Sequence, residues 1–398
     1  MGGACLSKLQ GRAIEPSNSL RTVEGVGRNQ TELALPREFF EHYNIFVKRK
    51  SDLKNANDGN HSGVLGSGSF STVLKCIHKE TGDLRAVKFV EKKKMLGLRR
   101  QSQKDKIVTE VHRGISLLRK MNHPGIIKLY DFFESTKAMA VVLEFGKGGE
   151  LYHTIVRLGQ LTELQTVNIA KQLVSAIAYL HKQGFVHRDI KPENIVVMND
   201  MNQCSGAEAE ESIEYRVKLI DFGYSRHFDR SARMVSFVGT LNYVAPEIIK
   251  RIPYDETVDV WSLGVIVFVL LQGYLPFNLT ESFESNDYSL YLDPEDFRHV
   301  SLAGKTFISK CLNLTPSKRP KAEQLTKAPW LQESTHKGRR ESLQPLNSPT
   351  KLGAMCQSPS MDAQKLLQLP NATAEKTKHT EGSTSDPKEE IFSPGQKH

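Results

Sequence analysis

The sequence predicts an α+β protein: a small antiparallel-sheet lobe leads into a larger helical lobe, with an irregular tail at each end. Three observations predict it. Between His61 and Val90 the apolar residues come in short alternating runs broken by turn residues. Past residue 160 they fall at helical spacing instead, over 164–181 and 260–271. Up to about residue 40, and again from Gln332 onward, no period persists. The expected division is a mostly disordered arm over 1–59, a folded region over 60–331 and a disordered tail over 332–398.

The elements follow in order. Val64-Leu65, the run 73–77 and the run 85–90 read as strands, separated by a Gly-rich turn and by Thr81-Gly82-Asp83. A basic loop spans 92–100. A helix follows, marked by Ile107, Val111, Ile115 and Leu118 at helical spacing. After His123-Pro124 breaks that pattern, strands are expected over 126–133 and 139–145. In the second half, Val167, Ala170, Val174 and Ile177 mark an amphipathic helix, while 260–271 is apolar on nearly all sides, as a central helix should be.

Composition excludes several classes. With 39% apolar and 25% charged residues the chain can bury an ordinary globular core. The formal charge of +9 favours acidic partners or an anionic membrane, but the Lys and Arg are spread along the whole chain. Solubility is therefore the stronger reading, and no nucleic-acid partner is expected. The five cysteines, at 5, 76, 204, 311 and 356, form no CxxC pair. They indicate a reducing, cytoplasmic compartment without a disulfide framework or zinc site. The N-terminus has no apolar core of a signal peptide. The stretch 258–271 is shorter than the ~18–20 apolar residues of a membrane span and contains Asp259 and Ser262. A monomer is expected.

Chemistry concentrates in five ordered segments. Leu65-Gly66-Ser67-Gly68-Ser69-Phe70-Ser71-Thr72-Val73 places glycines at a strand turn, where backbone amides can approach a polyphosphate. Ala86-Val87-Lys88 puts an ammonium on the next strand. His187-Arg188-Asp189-Ile190-Lys191-Pro192-Glu193-Asn194, Asp221-Phe222-Gly223 and Ala245-Pro246-Glu247 complete the set. Phosphoryl transfer needs a carboxylate to take the hydroxyl proton, oxygens to hold Mg²⁺, and cations on the phosphates. These segments contain all three.

Here the chain resembles the eukaryotic protein kinases, over about residues 60–331. The resemblance implies a bilobal protein kinase fold, ATP and Mg²⁺ as cosubstrate and cofactor, and protein substrates. It implies that Asp189 is the base, that Asn194 and Asp221 hold Mg²⁺, and that Lys88 meets the phosphates beneath the 65–73 loop. Lys191 and Thr240, in Gly239-Thr240-Leu241-Asn242-Tyr243, match Ser/Thr rather than tyrosine kinases. Asp259 matches the aspartate that braces the catalytic loop, and Arg319 the arginine that pairs with Glu247. Glu144-Phe145-Gly146, with Ala86, resembles the adenine edge, and Leu143 the gatekeeper. Gly148-Gly149-Glu150-Leu151 and Pro329-Trp330-Leu331 resemble the calcium/calmodulin-dependent kinase group. In that group Glu150 and Glu193 match the acidic positions that receive an Arg three residues before the target; the alternative is that Glu150 meets only the ribose.

Three departures stand out. The family's helix glutamate lies ten residues before the His-Pro proline, and that position is Gly114, with Glu110 one turn earlier. A turn is about 5.4 Å of axial shift. Either Glu110 serves through a shifted helix, or an insertion alters the register, or the Lys88 ion pair is absent. Asn194 and Asp221 are 27 positions apart, which leaves an acidic insertion over 199–216 with Glu208, Glu210, Glu211 and Glu214. It is read as a hairpin extension, either regulatory or simply solvated. Thr315-Pro316 stands where the family has Asp-Pro, with little effect expected.

For regulation, Arg188 precedes the base and Ser236 lies three before Gly239, the arrangement of kinases switched by an upstream activating kinase. Ser231 is the second choice. Arg339-Arg340-Glu341-Ser342 has the Arg-x-x-Ser spacing of the expected substrates, and Ser348, Ser358 and Ser393 each precede Pro. No EF-hand loop is present, and no basic amphipathic helix follows Leu331, so direct calcium or calmodulin control is not expected. Met1-Gly2-Gly3-Ala4-Cys5 suggests myristoylation of Gly2 and palmitoylation of Cys5, hence membrane association, against an ordinary irregular start. The competing function is a pseudokinase scaffold, supported by Gly114 and opposed by Lys88, Asp189, Asn194 and Asp221. A small-molecule kinase is disfavoured by the Ala245-Pro246-Glu247 and Gly239-Thr240 segments.

Overall fold

Alternation builds the first layer. In β3 (Ser71–His78) Thr72, Leu74 and Cys76 are buried while their neighbours are half-buried. β-branched and apolar residues at period two suit a pleated strand with one covered face. The turn into β4 (Leu84–Glu91) uses Gly82 at φ 72°, where a side chain would be strained. β5 (Leu129–Glu134) and β6 (Ala138–Glu144) form the next hairpin.

The computed structural model describes residues 35–46, 63–67, 71–92, 101–199, 214–228, 234, 236, 239–277 and 297–333. All lie in the first of two compact units, Met1–Cys356. Among them, a six-stranded antiparallel sheet has the order β1 (Tyr43–Ile45), β3, β4, β6, β5, with β2 (Val64–Ser67) also on β3. Gly2, Cys5, Gly68, Ser69, Phe70, Ser231, Glu208, Glu210, Glu211 and the tail serines lie outside the described residues.

The expected arm over 1–59 needs correction. α1 (Phe39–His42) and β1 (Tyr43–Ile45) are part of the small lobe, because β1 pairs with the second half of β3. Leu35, Phe39 and Tyr43 are buried there with Leu74, Val87 and Ala140. Phe39 stacks on Tyr43 at 5.3 Å and meets the edge of Phe133 at 5.9 Å. The Tyr43 hydroxyl donates to Asp131. Burial, then that hydrogen bond and charge, push the Tyr43 phenol above its ordinary range. A four-residue helix running into a three-residue strand is too short for either period to register.

The strand expected over 126–133 begins only at Leu129. Ile126 instead bridges Leu219 in parallel, and the Ile127 N–H donates to the Leu219 carbonyl at 3.0 Å. One apolar run thus serves two sheets in succession and stitches the small lobe to the large one.

α2 (Gln101–Leu118) lies on β5. The large lobe starts with α3 (Leu151–Leu158) and α4 (Glu163–Lys182), whose N-terminus carries a full capping box between Thr162 and Gln165. β7 (Gly149–Glu150), β9 (Ile195–Val197) and β10 (Val217–Leu219) form a three-stranded sheet, and β8 (Phe185–Val186) pairs with β11 (Arg226–His227). Val197 faces Val217, so the insertion joins two paired antiparallel strands. α5 (Pro246–Ile249) precedes α6 (Thr257–Gln272), all of whose 16 residues are buried. Gly273 ends it in the left-handed region, φ 73°. α7 (Leu302–Cys311), α8 (Ala322–Leu325) and α9 (Pro329–Glu333) pack around α4 and α6. Trp330 Nε1 donates to Glu163 Oε1 at 2.7 Å, closing the bundle. Among the described residues no helix is long and apolar enough to cross a membrane.

The burial of Phe39 carries a stability expectation. Phe39→Ala should cost about 3–5 kcal/mol, read as a lower urea midpoint at unchanged slope. A change under about 0.5 kcal/mol, the range of exposed sites, would mean that residues 35–46 are not part of the core.

Candidate active site

The site is assembled around a buried carboxylate. Asp259, on the first turn of α6, is wholly buried. Its Oδ2 accepts from the His187 N–H at 2.8 Å and lies 2.9 Å from His181 Nε2; its Oδ1 accepts from the Arg188 N–H at 2.8 Å. Burial alone would raise its pKa, but the His181 hydrogen bond and charge outweigh burial, and the carboxyl sits below its usual range. Arg188 is held at φ 67°, a conformation a non-glycine residue adopts only when its surroundings impose it.

That clamp sets out the next residues. Asn194 Nδ2 donates to Asp189 Oδ2 at 2.8 Å and to the Asp189 carbonyl at 2.8 Å. The Thr240 hydroxyl donates to Asp189 Oδ1 at 2.9 Å, and Lys191 Nζ donates to Thr240 Oγ1 at 2.5 Å. Lys191 Nζ is also 3.2 Å from Asp189 Oδ2. Asp189, Lys191, Asn194 and Thr240, dispersed over 52 positions of sequence, thus form one hydrogen-bonded group.

Across the cleft, Lys88 Nζ donates to Asp221 Oδ2 at 2.7 Å. Burial pushes the Asp221 pKa up, but the Lys88 charge and hydrogen bond outweigh it, and the carboxyl is held low. Asp221, like Arg188, has a positive φ, 59°. α2 is continuous from Gln101 to Leu118, so Glu110 and Gly114 stand about one turn apart on the same helix. Gly114 faces the Phe222–Gly223 backbone: a Cβ there would stand 3.5 Å from the Phe222 carbonyl carbon. Glu110 lies beside Gly223 and raises the Tyr224 pKa, second to burial. The carboxylate paired with Lys88 is that of Asp221.

The remaining expected residues divide into three groups. Leu65, Gly66, Ser67, Ser71, Thr72 and Val73 are described in β2 and β3, and Val73 is the direct cross-strand neighbour of Lys88. Ala86 faces Leu143 across β4 and β6. Gly146 admits no side chain, since a Cβ would meet Val196 Cγ1 at 1.9 Å. Glu144 turns its carboxylate to Lys218 at 2.7 Å, so only its backbone is available at the cleft edge. Glu150 and Glu193 are near enough for each to feel the Lys191 charge, and Glu193 raises the Glu150 pKa. Burial is the main cause of the upward shift in both. Glu193 Oε2 is buried without a hydrogen-bond partner among the described residues.

Arg188 extends away from the cleft. Its Nη1 donates to Ser236 Oγ at 2.8 Å and to the Tyr254 hydroxyl at 3.3 Å, and its Nε to the Tyr224 carbonyl at 2.9 Å. Glu247 and Arg319 form a buried bidentate pair, with the guanidinium 4.9 Å from the Trp261 ring. His181, Tyr254 and Lys218 escaped the sequence reading. Each acts through a residue far away in the chain, and no local signal marks it.

Comparison with known proteins agrees with this geometry. Residues 60–331 match the protein kinase domain model. A probable myosin light chain kinase of Dictyostelium discoideum is 37% identical over 292 residues, covering 72% of this chain and 70% of that protein. Calcium-dependent protein kinase 5 of Plasmodium falciparum is 36% identical over 275 residues, 68% of this chain but only 44% of that protein. Calcium-dependent protein kinase 4 of the same organism is 35% identical over 280 residues, with 49% of its length covered. The chain thus spans less than half of these two calcium-dependent kinases. It is a member of the protein kinase family, a serine/threonine kinase similar to the calcium/calmodulin-dependent group.

Proposed function

We propose that the protein transfers the γ-phosphoryl of ATP to Ser or Thr of proteins carrying Arg three residues before the target. The observation that carries the reading is the group Asp189–Thr240–Lys191–Asn194 facing Lys88–Asp221. In this reading Asp189 Oδ2 accepts the proton of the substrate hydroxyl, while Thr240 and Asn194 hold its carboxylate in orientation. Lys191 lies where it can neutralise charge on the transferred group. Asn194 and Asp221 would hold Mg²⁺, which supplies charge neutralisation on the phosphates. The donor set fits: Asn194 gives its amide hydrogens to Asp189, which leaves its oxygen for a cation, and Asp221 is kept ionised. Lys88 would exchange Asp221 for phosphate oxygens.

Glu150 and Glu193 support the Arg preference. Two half-buried carboxylates with raised pKa values, one with an unpartnered oxygen, are costly until a cation arrives. With γ-labelled ATP, Asp189→Asn should lose about 10²–10⁴-fold in rate. The double variant Glu150→Gln, Glu193→Gln should raise KM for the Arg peptide by about 10–100-fold, the worth of charged hydrogen bonds, and leave an Arg-less peptide unchanged. Because both pKa values are raised, the carboxylates take up protons sooner than ordinary Glu as pH falls. The preference for the Arg peptide should therefore shrink toward parity on the acid side of neutrality. A preference that stays constant with pH, or survives the double variant, would remove the Arg reading.

Ser236 is the proposed target of an upstream kinase. A phosphate there would take the Arg188 guanidinium that its hydroxyl already accepts from. Treatment with an activating kinase should raise activity in the wild type and not in Ser236→Ala; equal activation of both would refute this.

Gly114 supports a weakly active resting enzyme, since α2 offers Lys88 no carboxylate at that position. A Cβ fits there at ordinary contact distance. Gly114→Glu should add about 1 kcal/mol of helix stability and raise kcat/KM for ATP several-fold. An unchanged kcat/KM in a stabilised protein would show that Asp221 and the ligands suffice to place Lys88.

A further inference from the structure

The end of α2, the loop after it, β5 and Lys218 of β10 line a cleft of 820 Å³. Its walls carry Arg119, Lys128, Lys218 and His123, and among the described residues Asp131 is the one carboxylate in the lining. Asp131 is already engaged by the Tyr43 hydroxyl. Lys218 is neutralised by Glu144 at 2.7 Å. Arg119 and Lys128 have no carboxylate partner among the described residues, and the Lys128 ammonium instead lies 4.9 Å from the ring of Tyr130. The same ring holds the Arg85 guanidinium on it at 3.8 Å. His123 is hydrogen-bonded to Ser175 and stacked on Tyr179. Burial, and then the Lys218 charge, keep its imidazole below the usual pKa.

Between the cations stand the apolar side chains Leu118, Met121, Pro124 and Leu129, beside the polar Asn122 and Tyr130. A nucleic-acid backbone would leave these unused, and a free phosphate would not fill the volume. We propose that this cleft is a docking site for a segment of a protein partner in which acidic and apolar residues alternate. The partner's carboxylates would pair with Arg119 and Lys128, and its apolar side chains would cover the floor. Charge-assisted pairs to Arg and an apolar floor make the contact specific to such a peptide. Neither Glu150 nor Glu193, the pair proposed above to take the opposite charge, belongs to its lining.

The test is fluorescence anisotropy with a labelled peptide of alternating Glu and Leu, titrated with the full chain. Its partners are a Lys–Leu peptide and a single-stranded DNA of equal charge. Saturable binding of the Glu–Leu peptide that weakens at least tenfold in Arg119→Glu, Lys128→Glu supports the site. Neither residue belongs to the catalytic group, so activity on a short Ser peptide should be retained and certifies the fold of the variant. Single variants Arg119→Ala and Lys128→Ala provide the same readout at smaller amplitude should the double variant fail that check. Binding that is equal in the wild type and all variants, or no binding at all, overturns the proposal. Equal binding of the DNA overturns the choice of a peptide. Tighter peptide binding by a variant with Glu208, Glu210 and Glu211 changed to Gln would make the chain's own insertion the occupant and overturn the external partner.

Discussion

The arrangement rests on Asp259. Its carboxylate is removed from water and holds two consecutive backbone N–H groups and one imidazole. A buried charge is tolerated only when its hydrogen bonds are complete, and it therefore dictates where its donors stand. Those donors belong to His187 and Arg188. Their placement forces the positive φ of Arg188, which turns the chain so that Asp189 faces the cleft while the Arg188 guanidinium faces Ser236, Tyr224 and Tyr254. One electrostatic constraint thus places both Asp189 at the cleft and the Arg188 guanidinium beside Ser236.

The helical lobe exists to keep that carboxylate dry. Every residue of α6 is buried, α4 and α7 flank it, and Arg319, paired with Glu247, lies over the ring of the helix's own Trp261. The small lobe is lighter and relies on its sheet. Its N-terminal segment fills the sheet's covered face with Phe39 and Tyr43 and reaches Asp131 on β5, the strand that α2 lies upon. The position of α2, and with it Gly114 and Glu110, is therefore tied to residues well before the nucleotide loop.

The order of elements was legible because it follows from short-range periods. Strong alternation in β3 and β4 and strong 3.6-residue spacing in α4 and α6 each reflect one continuous buried face. Two elements were not legible. Phe39 to Ile45 is too short to display a period, and its burial depends on a sheet that other segments form. The run from Ile126 divides between a bridge to Leu219 and strand β5, a division made by the two lobes' contact and not by any property of the run.

At the site the same distinction holds. The ordered motifs of the sequence carried the resemblance to the protein kinases, and that resemblance marked out Lys88, Asp189, Asn194, Asp221, Thr240 and Arg319, because phosphoryl transfer admits few chemical types and the motifs keep their order. Only the tertiary structure decided partners: Asp221 rather than a helix carboxylate on Lys88, Lys218 on Glu144, Tyr254 beside Ser236, and Glu193 facing Glu150 with an oxygen left over. Such pairings join residues tens of positions apart, and their energies depend on burial and on distances of a few ångströms. Neither quantity exists until the chain has packed.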